Sequence, residues 1–166
     1  MATLLPIVGY LTDDKSAQHA PACRQKVGVT RFVIADDHEN TRRILRGMLE
    51  RQAGWEVCGE ATGGQEAVEK VIEQKPDLVI LDLAMPFMDG LRAAREITKT
   101  LPAMPIMLYT LYNTPGLEPQ AEKVGIRKVI DKADGAPKLL GAIHEVLKSL
   151  PKVPGGRAKS TAQGRD

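Results

Sequence analysis

From Arg31 onward the chain alternates short apolar runs with longer amphipathic stretches, and this alternation predicts its architecture. Phe32-Val33-Ile34-Ala35, Leu78-Val79-Ile80-Leu81 and Ile106-Met107-Leu108-Tyr109 are continuous apolar runs, as expected of strands covered on both faces. Predicted strands fall at 31–36, 55–60, 78–81, 104–109 and 128–131. Between them apolar positions recur at helical spacing. The first helix groups Ile44, Leu45, Met48 and Leu49 on one face, and the second turns Ala67, Val68, Val71 and Ile72 inward. The third buries Leu91, Ala94 and Ile97; the last carries a stripe of Leu139, Leu140, Ile143, Val146, Leu147 and Leu150. Five strands alternating with five helices predict a doubly wound α/β domain at residues 29–150.

Local signals sharpen the boundaries. Thr62-Gly63-Gly64-Gln65 reads as a capping box, and Asp89 and Asp134 as helix caps. The fourth helix is the weak element, because Pro115, Gly116 and Pro119 interrupt it. It is expected to begin near Glu118 with Pro119 in its first turn, after a long irregular loop.

The flanks lack this order. Residues 1–28 show no sustained periodicity and read as a disordered or surface-packed arm. Within it Leu4–Leu11 is apolar, yet it contains Pro6 and lacks a preceding basic region. It is too short to span a bilayer and makes a poor signal peptide, so the protein is expected to be cytoplasmic with no membrane association. Residues 151–166, rich in Pro, Gly and Lys/Arg, read as a disordered basic tail too short to hold a DNA-binding module.

Composition narrows the class. Hydrophobic residues make up 43% and aromatic residues only 4%, so the core must be aliphatic. A net charge of +2 gives no bulk attraction to nucleic acid or membranes. Cys23 and Cys58 form no metal-binding spacing, and Cys58, in the apolar run Trp55 to Gly59, reads as a buried core thiol.

The chemistry lies where the apolar runs end. The first runs into Asp36-Asp37, the third into Asp82, the fourth into Thr110 and the fifth into Asp131 and Lys132. A parallel sheet delivers all these strand ends to one edge, where open α/β sheets bind ligands. Each residue alone has a plain reading as a cap, a turn residue or a surface lysine. Together, the carboxylates of Asp36, Asp37 and Asp82, the Thr110 hydroxyl and the Lys132 ammonium form a site for a divalent cation and a phosphoryl group. Mg²⁺ prefers carboxylate oxygens and water, a carboxylate attacks phosphorus to give an aspartyl phosphate, and a nearby cation stabilises the charge of the transferring group.

These residues resemble the receiver domain of two-component response regulators. The resemblance covers about residues 30–150 and rests on Ile34-Ala35-Asp36-Asp37-His38, on the segment Leu81 to Leu91, and on Thr110 and Lys132. The Met85-Pro86 and Asp89-Gly90 elements look most like the subfamily that carries helix-turn-helix outputs. The resemblance implies the flavodoxin-like strand order 2-1-3-4-5. It also implies that Asp82 accepts phosphate from a sensor histidine kinase or phosphotransfer protein, with Thr110 following the phosphoryl group and Lys132 pairing with it. Asp37, Asp82 and the carbonyl of Ala84 would hold Mg²⁺, with Asp36 binding a metal-coordinated water. A chain of this kind is a phosphoacceptor signalling domain with self-catalysed transfer and autodephosphorylation, monomeric or dimerising on phosphorylation.

Three departures from the family pattern concern output. The usual aromatic three residues before the lysine is Val129, the usual small residue after the threonine is Leu111, followed by Tyr112, and prolines disturb the fourth helix. One expectation is that output runs through the 111–119 loop with Tyr112 as the moving aromatic. A second is that Leu111 and Tyr112 screen the phosphoryl group from water. The leading expectation is a stand-alone switch acting by protein–protein contact, without direct nucleic-acid binding. The alternatives are a receiver from a longer DNA-binding regulator and a degenerate, phosphate-independent binding module. An aspartyl phosphatase is disfavoured, because the second acid such enzymes carry two residues after the nucleophile is Ala84 here.

Overall fold

A computed structural model describes residues 28–150. The expectations for the 1–28 arm, beyond its last residue, and for the 151–166 tail lie outside the described residues. The elements are β1 (Thr30–Ala35), α1 (Glu39–Glu50), β2 (Trp55–Ala61), α2 (Gly64–Gln74), β3 (Leu78–Leu81), α3 (Gly90–Thr100), β4 (Ile106–Thr110), α4 (Leu117–Lys123), β5 (Ile126–Asp131) and α5 (Gly135–Ser149). A single 3₁₀ turn, Lys132–Asp134, joins β5 to α5. All strand pairs are parallel, in the order β2-β1-β3-β4-β5. This is the doubly wound, flavodoxin-like sheet that the sequence predicts.

The alternation of side chains along each strand divides the interior in two. Val33, Val79, Leu81, Ile106 and Leu108 pack with Ala67 and Val71 of α2, Ala94 and Ile97 of α3, and Leu117 and Ala121 of α4. Phe32, Ile34, Leu78, Ile80, Met107 and Ile130 face the other way, against Leu45 and Leu49 of α1 and Leu139, Ile143 and Val146 of α5. The three central strands are thus buried on both sides, which is why they read as unbroken apolar runs.

Several local expectations need correction. Ile44 is 66% and Ile72 40% exposed, because the buried stripe of each helix is narrower than its apolar pattern and Leu45, Leu49, Ala67 and Val71 fill it. The Thr62–Gln65 capping box does not form. Gly63 occupies the cap, and Glu66, one residue later, accepts from the Thr62 backbone N–H at 2.8 Å and its hydroxyl at 3.0 Å. Asp134 stands at the cap of α5 without capping it, since it also closes the 3₁₀ turn in a helical conformation and pairs with Lys138 at 2.6 Å. Cys58 is only half-buried. It is the extra residue of a bulge between β2 and β1, where its thiol donates to the Phe32 carbonyl.

The other boundaries behave as predicted, with small shifts. Asp89 caps α3, accepting from Arg92 N–H at 2.8 Å. Pro119 sits in the first turn of α4, after an irregular 111–116 segment. β4 starts at Ile106 rather than Met104, whose N–H closes a turn onto Leu101. β5 starts at Ile126 rather than Lys128, because the exposed Arg127 and Lys128 of this edge strand hide its pattern.

Candidate functional site

Four strands end in a shared cleft. Asp36 follows β1, and its N–H is bound by the Ala61 carbonyl at 3.1 Å, so β2 fixes where β1 stops. Asp82 follows β3, with its N–H on the Ala35 carbonyl at 2.8 Å. Thr110 closes β4, paired with Asp131 at the end of β5, and Lys132 is next in chain. Parallel hydrogen bonding therefore brings together residues 96 positions apart.

The cleft is nearly closed to solvent around unlike charges. Asp36 is 1%, Asp82 4% and Thr110 0% exposed. The Lys132 ammonium donates to Asp36 Oδ2 at 2.6 Å and lies 3.2 Å from Asp82 Oδ1. Burial pushes the Asp82 carboxyl above the ordinary carboxylate range, and the charge of Asp36 pushes the same way; Lys132 and a hydrogen bond from Thr110 oppose both. For Lys132 burial alone would favour loss of the proton, but bonding to Asp36 and Asp82 outweighs it and holds the ammonium above its usual value. The lysine is therefore a cation held between two carboxylates.

The mouth is more open. Asp37 pairs with the His38 Nδ1 at 2.6 Å, and His38 also donates its backbone N–H to Asp36 Oδ1 at 2.9 Å. Asp36, Asp37 and His38 form the tight group of candidate metal ligands among the described residues. Asp82 joins it through Lys132, not as a fourth member of that group. Ala84 is exposed in the loop after β3, two residues from Asp82. The donor set fits a hard divalent cation: two nearly buried carboxylates share one ammonium, and a third stands at the entrance. Sequence reasoning missed His38 as a partner of this group, although it adjoins the acid pair.

The backbone around Asp82 is under tight steric control. A Cβ on Gly90 would lie 2.2 Å from the Asp82 carbonyl oxygen, so only glycine lets α3 begin this close to the strand end. Phe87 in the same loop adopts φ +64° and is 98% exposed, an unusual conformation for a bulky side chain.

The residues expected to carry output are distributed unequally. Leu111 and Tyr112 are 66% and 60% exposed. The Tyr112 backbone N–H nonetheless donates to Thr110 Oγ1 at 3.1 Å. Val129 is half-buried and packs on the α2–α4 side of the sheet. Tyr109, one residue before Thr110, faces the α1–α5 side, and its ring centroid lies 5.9 Å from Lys132 Nζ. The sequence reading assigned this tyrosine only to a strand.

Comparison with known proteins yields consistent matches. The model of the response regulator receiver domain matches residues 32–144. The chemotaxis protein CheY of Thermotoga maritima is 37% identical over 118 residues, covering 71% of this chain and 98% of that protein. The response regulator protein VraR of Staphylococcus saprophyticus is 33% identical over 119 residues, covering 72% of this chain but 57% of VraR. Among solved structures, a LuxR-family two-component response regulator from Aurantimonas superimposes with a TM-score of 0.70 at 29% identity, covering 72% of this chain and 86% of that one. Among the described residues no helix is long and apolar enough to cross a membrane.

Proposed function

From the premise that this chain belongs to the response regulator receiver family, we propose that it takes a phosphoryl group onto Asp82 and signals by protein–protein contact. Receivers are signalling domains of two-component systems, phosphorylated by histidine kinases or phosphotransfer proteins, and they bind Mg²⁺ at an acidic pocket. The observation that carries the reading is the position of one ammonium, 2.6 Å from Asp36 and 3.2 Å from Asp82, beside a fully buried Thr110.

In the proposed reaction an Asp82 carboxylate oxygen forms the new bond to phosphorus while the bond from phosphorus to the donor histidine nitrogen breaks. Lys132 turns from Asp82 towards a phosphoryl oxygen and keeps its bond to Asp36. The Thr110 hydroxyl donates to a second phosphoryl oxygen. Asp36, Asp37 and the Ala84 carbonyl, with Asp82, are the groups that would hold Mg²⁺, which when bound supplies charge neutralisation at the phosphoryl oxygens. Leu111, Tyr112 and Val129 form the output side. Because Tyr112 N–H donates to the Thr110 hydroxyl, movement of that hydroxyl loosens the start of the 111–116 segment directly.

Incubation with a small phosphodonor and Mg²⁺, followed by intact mass, tests the reading. A mass gain abolished by Asp82→Asn supports it, and no gain under saturating donor overturns it in favour of a phosphate-independent binding module. The match covers only 57% of VraR, and a solved relative is a LuxR-family DNA-binding response regulator from Staphylococcus aureus; both support a second reading, a receiver that forms part of a longer DNA-binding regulator. The reading frame of the natural gene distinguishes the two.

A further inference from the structure

Lys132 has to remain in the cleft while its partners change. Before transfer its ammonium is bound by Asp36 and Asp82, and on transfer the Asp82 contact gives way to a phosphoryl oxygen. Four flexible methylenes carry that charge, and they begin in a 3₁₀ turn at the end of an edge strand. Nothing in the turn itself holds the side chain inward. Its side chain is only 13% exposed and is drawn inward by Asp36 and Asp82, one of which it must release on transfer.

Tyr109 stands beside that side chain. It lies on β4, directly across from Ile130 of β5, so its backbone is fixed relative to the strand that launches Lys132. Its side chain points to the α1–α5 side of the sheet, whereas Thr110 points to the α2–α4 side. The ring centroid lies 5.9 Å from Nζ, within the range at which a π-face attracts a cation. The ammonium thus has carboxylates on one side and an aromatic ring on another. Desolvation strengthens such an attraction, and here both Tyr109 and Lys132 are largely withdrawn from water.

We propose that Tyr109 is a positioning residue for phosphoryl transfer, its ring holding the Lys132 ammonium in the cleft between Asp36 and Asp82. The inference rests on the proposed function, and it assigns the reaction a residue outside the strand-end cluster. The face of the ring matters and the hydroxyl does not. Tyr109→Phe therefore keeps the effect, whereas Tyr109→Leu removes it while leaving an apolar side chain of fair size.

The test is a double-mutant cycle on the rate of labelling by acetyl phosphate with Mg²⁺, at a temperature where circular dichroism shows every variant folded. In the wild-type background Tyr109→Leu should slow labelling roughly fivefold, with Tyr109→Phe close to the parent rate. In a Lys132→Met background Tyr109→Leu should change the residual rate by no more than the scatter, because the group it acts through is gone. Equal slowing in both backgrounds, or none in the first, overturns the inference. A wild-type protein that takes no label instead overturns the phosphoacceptor reading. The hold of the ring on the ammonium is read separately, by NMR of the lysine ammonium groups. The resonance assigned to Lys132 by its absence from Lys132→Met should persist in Tyr109→Phe and broaden away in Tyr109→Leu. An equally sharp resonance in Tyr109→Leu overturns it.

Discussion

Removing the Lys132 ammonium should expose how the cleft is held together. In the substitution Lys132→Met the stem length is kept and the charge is lost. At an effective dielectric of about 20, unit charges at the observed 2.6 and 3.2 Å attract by about 6 and about 5 kcal/mol. Most of that gross attraction offsets the cost of withdrawing three charges from water. The loss on breaking one partner of a buried pair is about 3 to 5 kcal/mol, because the remaining carboxylates are left unpaired. The lower end applies here, since the His38 and Leu83 backbone N–H groups still donate to Asp36 and Asp82, each at 2.9 Å. A loss of about 3 kcal/mol in a domain of this size lowers Tm by about 12 °C. Thermal denaturation followed by circular dichroism, at neutral pH in EDTA, reads it. Adding Asp82→Asn to Lys132→Met should recover at least half of the loss, because it deletes one of the two charges left without a counterion. A Lys132→Met protein within about 0.5 kcal/mol of wild type would show the pair contributes nothing. A double variant no more stable than the single one would place the damage in packing, not charge.

Three further outcomes follow from geometry described above. Phe87→Gly should raise Tm by about 4 °C, since relief of a left-handed conformation is worth about 1 kcal/mol and a 98% exposed ring gives up no packing; an unchanged or lower Tm contradicts this. Gly90→Ala should lower the urea midpoint by the equivalent of about 2 to 3 kcal/mol, because its Cβ meets the Asp82 carbonyl oxygen at 2.2 Å and Leu108 at 3.0 Å. Partial burial alone would raise the Glu66 carboxyl, but bonds from Thr62 and Lys70 outweigh it and hold the group below its usual value. Its stabilising effect is therefore complete above the unfolded pKa and lost as pH falls through the depressed folded one. Glu66→Gln should cost about 0.5 kcal/mol at neutral pH, a small figure because the carboxylate is mostly exposed, and the two proteins' denaturation curves should converge in acid.

What the sequence made legible was whatever depends on strand ends. Asp36, Asp82, Thr110 and Lys132 each follow an apolar run, and parallel pairing leaves a strand end only one edge to occupy. Asp89 and Pro119 were legible because a cap and a first-turn proline act through neighbouring backbone alone. Features that depend on competition in three dimensions were not. Ile44 and Ile72 carry helical periodicity but lose their places in the core to better-aligned neighbours. Thr62 had two acidic or amide partners within reach, and the backbone geometry at Gly63 chose Glu66. Tyr109 reads as an ordinary strand residue, since nothing in its own neighbourhood shows that a lysine 23 positions later folds over its ring.

The division of the interior by the sheet has a consequence for how news leaves the cleft. Leu108 hangs into the compartment shared with α2, α3 and α4, the side to which alternation also turns Thr110, while Tyr109 and Ile130 hang into the one shared with α1 and α5. In the reaction proposed above, Thr110 and Lys132, the latter beside the Tyr109 ring, would engage the same phosphoryl group. That one event would then reach the packing on both faces of the sheet, and partners seated on opposite faces would each have a route to it.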